Sequence, residues 1–276
     1  MSQVAEIETA PDVIEATVNY VENNGERLFT YTGEPGSTDR RRGGTYDPHQ
    51  VTMHNGRLEA DRFKLDRHGF RFVDHPTKMR DFYDEDEIRR VYYPEMVELI
   101  KAESGAKRVA VFDHTLRTAD DELREAKKIR EVVRRAHNDY TEWSGPQRVR
   151  DILPDEAEDL LTRRFAIIQV WRPIRYPVET FPLAICDAQS VAFEDFLISE
   201  RLYPNRKGQT YACAYSPNHH WYWFPRMRRE EALVFKVYDS QTDVARWTAH
   251  TAFEDPTTTP NARPRESIEI RTLAFF

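Results

Sequence analysis

The chain has 276 residues, which is enough for one large domain or two small ones with a sizeable core. Its 40 lysines and arginines against 47 aspartates and glutamates give a net charge of -7, which argues against a general nucleic-acid-binding surface. With 39% hydrophobic and 32% charged residues, the composition is that of a polar globular protein and excludes a disordered chain.

Cysteine content and the N-terminal segment indicate the compartment. Cys186 and Cys213 are too few for a disulfide scaffold or a cysteine-based zinc site. The N-terminus is acidic where a secretory signal would be basic, and no segment approaches the roughly 20 apolar residues that cross a bilayer. We therefore expect a soluble, cytoplasmic protein with no nucleic-acid or membrane partner; a homo-oligomer and a partner subunit both remain open.

The first 60 residues show weak periodicity and contain the turn-rich stretch TGEPGSTDRRRGG (32–44). We expect residues 1–60 to form an arm that packs on a core domain of residues 61–276. The three arginines at 40–42 suit a phosphate, but a charge run in a loop is usually solvated.

Three segments have helical character. Residues 81–102 have the acidic start and spaced apolar positions of a helix interrupted near Pro94. Residues 120–133 are helical by composition, but their end runs into VVRRAHNDY, where β-branched residues favour extension. A third helix is predicted over 190–203, SVAFEDFLISERLY.

Short β-branched and aromatic runs separated by turn residues predict most of the remaining elements as strands. They lie at 108–114, 164–171, 182–188, 209–216, 219–225, 232–240 and 267–276. Because these strands are closely spaced and helices are few, the pattern predicts a mainly β protein with flanking helices, a sandwich or barrel rather than an alternating βαβ fold.

The segment His137-Asn138-Asp139 carries the first chemical signal. Residues two apart on an extended strand project to one face, so the imidazole and the carboxylate can converge on one ion. The string alone is common and is usually a surface or structural pair. His250, far downstream in TAHTAFEDP, adds a second imidazole. Two imidazoles and one carboxylate are the facial triad of non-haem Fe(II) oxygenases, which leaves positions open for an organic acid and for O2.

Arg265 and Ser267 form the second signal, directly before the last strand. They share a face in the same way, so a guanidinium fork and a hydroxyl can hold a carboxylate with parallel hydrogen bonds. Near two imidazoles and an aspartate, this pair suits the distal carboxylate of 2-oxoglutarate.

Four further residues are candidates for contact with substrate: His114, Arg117, Trp171 and Arg172. Each also has a structural interpretation, such as a hydrogen bond for His114 or a salt bridge for Arg172.

Lys236, on an otherwise apolar strand, is expected to pair with Asp239 or Asp187, or to face a cofactor. His219 and His220 compete as metal ligands, but their aromatic run favours a core strand.

These residues stand within motifs that resemble the AsaB/CmcJ group of hydroxylase and desaturase proteins over about residues 60–276. The motifs are VFDHTLR (111–117), HNDYTE (137–142), VWRPI (170–174), PLAICDAQS (182–190), HHWYWFPRM (219–227), KVYDS (236–240), AHTAFEDP (249–256) and RESIEIR (265–271). The resemblance implies a double-stranded β-helix, the cupin-like jelly roll, and Fe(II)/2-oxoglutarate-dependent dioxygenase activity in secondary metabolism. It implies His137, Asp139 and His250 as iron ligands, and Arg265 and Ser267 as the 2-oxoglutarate anchor.

The implied reaction uses Fe(II), 2-oxoglutarate and O2 to hydroxylate, desaturate or cyclise a small molecule, with release of succinate and CO2. Two other functions stay open on sequence alone: a cupin-like metal-dependent hydrolase or isomerase, and a non-catalytic partner subunit of a biosynthetic complex. The long separation of Asp139 from His250 predicts inserted strands, or the 190–203 helix, between them.

Overall fold

A computed structural model describes residues 10–34 and 39–276. Residues 1–9 of the acidic N-terminal segment and residues 35–38 of the turn-rich stretch lie outside the described residues.

The strands form two sheets. In spatial order, the larger sheet contains β1 (Val13–Val21), β4 (Tyr46–Asn55), β13 (Trp221–Trp223), β10 (Leu183–Cys186), β15 (His250–Ala252), β8 (His137–Asn138), β12 (Arg206–Cys213), β11 (Phe196–Tyr203), β2 (Phe29–Thr32) and β3 (Arg40–Gly43). The smaller sheet contains, also in spatial order, β5 (Phe70–Asp74), β14 (Glu231–Asp239), β9 (Phe165–Pro173), β16 (Glu266–Phe275), β6 (Arg108–Thr118) and β7 (Arg130–Glu131).

The central strand β9 shows how the layers are arranged. It is buried on both faces, as its largely apolar sequence predicts. Phe165, Ile167 and Trp171 pack between the two sheets, whereas the alternate side chains pack on the outer face of the smaller sheet. The predicted class, mainly β with a jelly-roll core, is confirmed by these two facing sheets.

The helices flank the sheets: α1 (Leu65–His68), α2 (Glu85–Glu87), α3 (Tyr93–Ser104), α4 (Asp121–Lys127), α5 (Ser144–Ile152) and α6 (Ala157–Leu160). A π-helical turn, Ile88–Tyr92, joins α2 to α3 just before Pro94, so the predicted helix and its interruption are confirmed. Pro94 lies at the second residue of α3, directly after this turn, where its missing N–H interrupts the helical hydrogen bonds. The 120–133 prediction holds for α4, after which the chain is extended in β7.

The predicted helix over 190–203 is wrong. A short 3-10 turn, Phe193–Asp195, is followed by β11, which pairs antiparallel with β12 and parallel with β2. Pairing on both edges outweighs the weak helical propensity of the segment. The segment between Asp139 and His250 therefore contributes strands β9 to β14, with no long helix among them.

The first 60 residues contribute β1 to β4: β1 and β4 pair along nine residues at one edge of the larger sheet, and β2 and β3 pair at the other edge. That sheet curls until Val21 of β1 forms a parallel bridge with Ala214, just beyond β12. No helix among residues 10–34 and 39–276 has the length and apolar character needed to cross a membrane.

Candidate metal centre

Two strands at the middle of the larger sheet bring the two histidines together. His137 in β8 stands directly opposite His250 in β15, in antiparallel register. Side chains opposite each other on neighbouring strands project to the same face, and the ring centroids are 4.3 Å apart. Asp139 follows β8 at once, and its Oδ1 lies 3.5 Å from Nε2 of His137. One ligand atom from each of the three residues lies within 4.8 Å of the others.

Backbone carbonyls fix both imidazole rings. Nδ1 of His137 donates to the carbonyl of Arg135 at 2.8 Å, and Nδ1 of His250 donates to the carbonyl of Thr248 at 3.0 Å. A carbonyl only accepts, so each Nδ1 carries the proton and each Nε2 keeps its lone pair for a metal.

The charge states of these side chains suit a divalent cation. Burial lowers the pKa of His250 to about 4, so its imidazole is neutral at neutral pH. Burial alone would raise the pKa of Asp139, but the hydrogen bond with His137 and the charge of Arg271 hold it well below its ordinary value. A neutral imidazole and an ionised carboxylate are the forms that coordinate metals.

The second carboxylate oxygen of Asp139 is held from the opposite sheet. Nε2 of Gln169, on β9, donates to Oδ2 at 2.7 Å, and Nε of Arg271, on β16, lies 3.5 Å from the same oxygen. Arg271 is held in turn by Asp113, Thr115 and Glu269. With Oδ2 occupied, Oδ1 is the oxygen presented to a metal.

A cavity adjoins the three residues, between the two sheets. It is lined by Arg117, Val133, His137, Asp139, Trp171, Leu183, His250, Thr251, Ala252, Arg265 and Glu269. The guanidinium of Arg265 lies over the ring of Trp171, 5.3 Å from its centroid, and donates from Nη1 to the carbonyl of Phe181. Among the described residues, neither Nε of Arg265 nor Oγ of Ser267 has a partner, although both side chains are buried. Unpaired buried polar groups are costly, so the pair fits an anion such as a carboxylate.

The substrate-contact candidates divide between the two faces of the smaller sheet. Arg117 and Trp171 line the cavity. His114 instead contacts the hydroxyl of Tyr93 at 2.8 Å, on the helical side. Arg172 also points away and donates to the carbonyl of His75 at 3.0 Å. Strand alternation separates Trp171 from Arg172, so His114 and Arg172 have structural contacts and do not line the cavity.

Lys236 pairs with Asp239 at 2.9 Å and with Asp66 at 2.7 Å, so the expected pairing with Asp239 is confirmed, and it does not line the cavity. His219 contacts the hydroxyl of Tyr20 and the carboxylate of Asp195 within the core.

Gln169 and Arg271 are the residues of the site that sequence reasoning missed. A usable signal exists in RESIEIR, whose alternate positions place Arg265, Ser267, Glu269 and Arg271 on one face of one strand. Gln169 is likewise a polar residue within an apolar strand, at a fully buried position.

Comparisons with known proteins give the family context. Residues 18–275 match the family model described as Oxidoreductase/YMDC permease-like domain. A Fe(II)/2-oxoglutarate-dependent dioxygenase of Aspergillus novofumigatus is 31% identical over 258 residues, covering 91% of each chain. A hydroxylase/desaturase of Cercospora beticola is 34% identical over 254 residues, covering 84% of this chain and 78% of that one. A solved structure of the iron and alpha-ketoglutarate-dependent endoperoxidase NvfI superposes with a TM-score of 0.85 at 28% identity, covering 97% of this chain and 99% of that one.

Proposed function

Since the chain belongs to the Oxidoreductase/YMDC permease-like domain family, we propose that it is a non-haem Fe(II)/2-oxoglutarate-dependent dioxygenase acting on a small molecule of secondary metabolism. The observation that carries the proposal is the convergence of two imidazoles and one carboxylate, with ligand atoms within 4.8 Å of one another, beside a cavity with a buried guanidinium.

His137, Asp139 and His250 hold Fe(II) in this proposal, and a three-residue set leaves coordination positions free. When bound, the iron with 2-oxoglutarate and O2 supplies an oxidation that removes hydrogen from the substrate and releases succinate and CO2. Arg265 and Ser267 bind the distal carboxylate, which accepts the hydrogen bonds that Nε and Oγ lack within the described chain.

The remaining residues orient groups and exclude water. Gln169 and Arg271 keep Asp139 in one rotamer, so that a single oxygen faces the metal. Trp171 and Leu183 provide apolar walls beside the histidines, which keep the reacting atoms away from bulk water.

The primary substrate occupies a second space in this proposal, next to the cavity that takes 2-oxoglutarate. A groove shares Ala252 with the cavity and includes Arg134 and Arg135, which precede His137. Whether hydroxylation, desaturation or ring formation results depends on which substrate carbon lies nearest the metal. The free thiols of Cys186 and Cys213 fit a reducing compartment, the cytoplasm.

The test is formation of succinate from 2-oxoglutarate with Fe(II), ascorbate and O2. We expect the wild-type protein to form succinate and His137→Ala to form none, because the iron loses a ligand. His114→Ala is the matched control, since its imidazole lies on the other face of the smaller sheet, and it should retain the activity.

Two outcomes would contradict the proposal. Turnover of another substrate without succinate would identify a metal-dependent hydrolase or isomerase. Stoichiometric iron binding with no turnover across a substrate panel would identify a non-catalytic partner subunit.

A further inference from the structure

Two guanidinium groups, those of Arg117 and Arg265, line the cavity, and neither has a carboxylate partner among residues 10–34 and 39–276. Arg265 directly precedes β16, and Arg117 lies on β6. Ser267, two residues along from Arg265, stands opposite Arg117 in antiparallel register. Residues paired in this way project to one face of a sheet, so the three side chains share one wall of the cavity.

This wall carries an excess of positive charge. Glu269 also lines the cavity, but its carboxylate accepts from Arg271. Burial lowers the pKa of Arg265 to about 9, and the charge of Arg117 is the next contribution in that direction. Burial also lowers the pKa of Arg117. Two positive charges that repel each other at a buried wall are stabilised by a bound anion, so this wall suits an anionic ligand.

Both guanidiniums retain donors for that anion. Nη1 of Arg117 donates to the carbonyl of Glu131 at 2.9 Å, and Nη1 of Arg265 donates to the carbonyl of Phe181. A guanidinium has five N–H donors, so each has several left, and a carboxylate offers about four acceptor positions. One carboxylate can therefore accept from both guanidiniums and from the hydroxyl of Ser267.

We propose that Arg117 and Arg265 together bind the distal carboxylate of 2-oxoglutarate, so that its anchor consists of two guanidiniums and one hydroxyl. This inference rests on the proposed function. In this arrangement Arg117 favours dicarboxylic keto acids over monocarboxylic ones, because a keto acid without the distal carboxylate leaves the guanidiniums of Arg117 and Arg265 unpaired.

The experiment compares two ligands by calorimetric titration of the full chain loaded with Mn(II). One ligand is 2-oxoglutarate, and the other is 2-oxopentanoate, which has the same five-carbon chain with a methyl group in place of the distal carboxylate. The variants are Arg117→Gln, Arg117→Lys and Arg265→Gln. Arg163→Gln is the matched control, because it removes an exposed arginine that pairs with Asp159 and does not line the cavity.

We expect Arg117→Gln to weaken binding of 2-oxoglutarate by about tenfold or more, as loss of a charge-assisted hydrogen bond does. Its effect on 2-oxopentanoate should be less than about twofold, and Arg117→Lys should lie between Arg117→Gln and the wild type. Arg163→Gln should leave both affinities unchanged, and thermal unfolding should show that each variant remains folded.

The outcomes separate this inference from the proposed function. If Arg265→Gln weakens 2-oxoglutarate binding but both Arg117 variants bind it normally, the inference is overturned and the oxygenase assignment stands. If Arg117→Gln weakens both ligands equally, Arg117 supports the fold or the keto-acid end, and the inference is again overturned. If the wild type binds neither keto acid, the proposed function itself fails.

Discussion

Replacement of Gln169 by leucine should weaken metal binding without unfolding the protein. Gln169 is fully buried, and its Nε2 donates to Oδ2 of Asp139 at 2.7 Å, whereas Nε of Arg271 lies farther away, at 3.5 Å. The amide therefore makes the stronger contact. Leucine has a similar volume and cannot donate, and Oε1 of Gln169 has no partner among the described residues that would be lost. Loss of this hydrogen bond to a buried carboxylate should lower the free energy of unfolding by about 1.5–3 kcal/mol, which leaves the protein folded.

The expected effect on metal binding follows from the role of this amide as an outer partner of a metal ligand. Loss of such a partner typically costs about 10–100-fold in metal affinity. Titration of the metal-free protein with Mn(II) by calorimetry measures the effect directly.

Thr272→Val is the matched control for this prediction. Thr272 is buried one residue after Arg271, and its hydroxyl donates to the carbonyl of Ile168, on the same pair of strands. It does not contact Asp139, so its variant should lose stability and keep metal affinity. A Gln169→Leu protein whose Mn(II) affinity changes by less than about threefold would refute the argument that this amide orients the carboxylate.

Other predictions concern stability and reactivity. Burial would raise the pKa of Glu231, but the hydrogen bond and charge of Arg57 lower it overall, below the ordinary value of 4.5. The ionised Glu231 carboxylate therefore stabilises the fold above pH 4.5, and this stabilisation is lost as the pH falls through the lowered pKa. Glu231→Gln should therefore cost about 2 kcal/mol in urea unfolding at pH 7 and less at pH 3; an equal loss at both would contradict the ion pair. Gly145→Ala places a Cβ 2.6 Å from the ring of Tyr238, so overpacking should outweigh the helix propensity gained and lower stability by about 1–2 kcal/mol. Both cysteines are buried and free with raised pKa values, so a thiol reagent should modify neither in the native protein and both after unfolding; rapid native labelling would argue against this burial.

The strands and the site residues were predicted from different features of the sequence. Strands β9 and β14 carry largely apolar runs, because both of their faces are buried, and such runs are visible in the sequence. His137 and Asp139 lie two residues apart, so their shared direction is a local property of an extended chain. His250 is distant in the sequence from these two residues, and it was predicted as the third ligand because two imidazoles and one carboxylate are a known iron-binding set. Its role as an iron ligand stays a prediction.

Contacts that depend on sheet pairing were not predictable from one chain segment. Gln169 reaches Asp139 from the opposite sheet, and nothing in their separate surroundings specifies that approach. The helix prediction for residues 190–203 was wrong for the same reason. Strand β11 is stabilised by pairing with β12 and with β2, and β2 lies far from it in the sequence. Periodicity reports the local preference, and tertiary pairing decides between nearly equal alternatives.

A crystal structure of the protein with Mn(II) and 2-oxoglutarate tests the central assignment most directly. The account predicts one ion bonded to Nε2 of His137, Nε2 of His250 and a single oxygen of Asp139, with the distal carboxylate of 2-oxoglutarate on Arg265. An ion bound elsewhere, or an imidazole of His250 that leaves the ion uncoordinated, would contradict it.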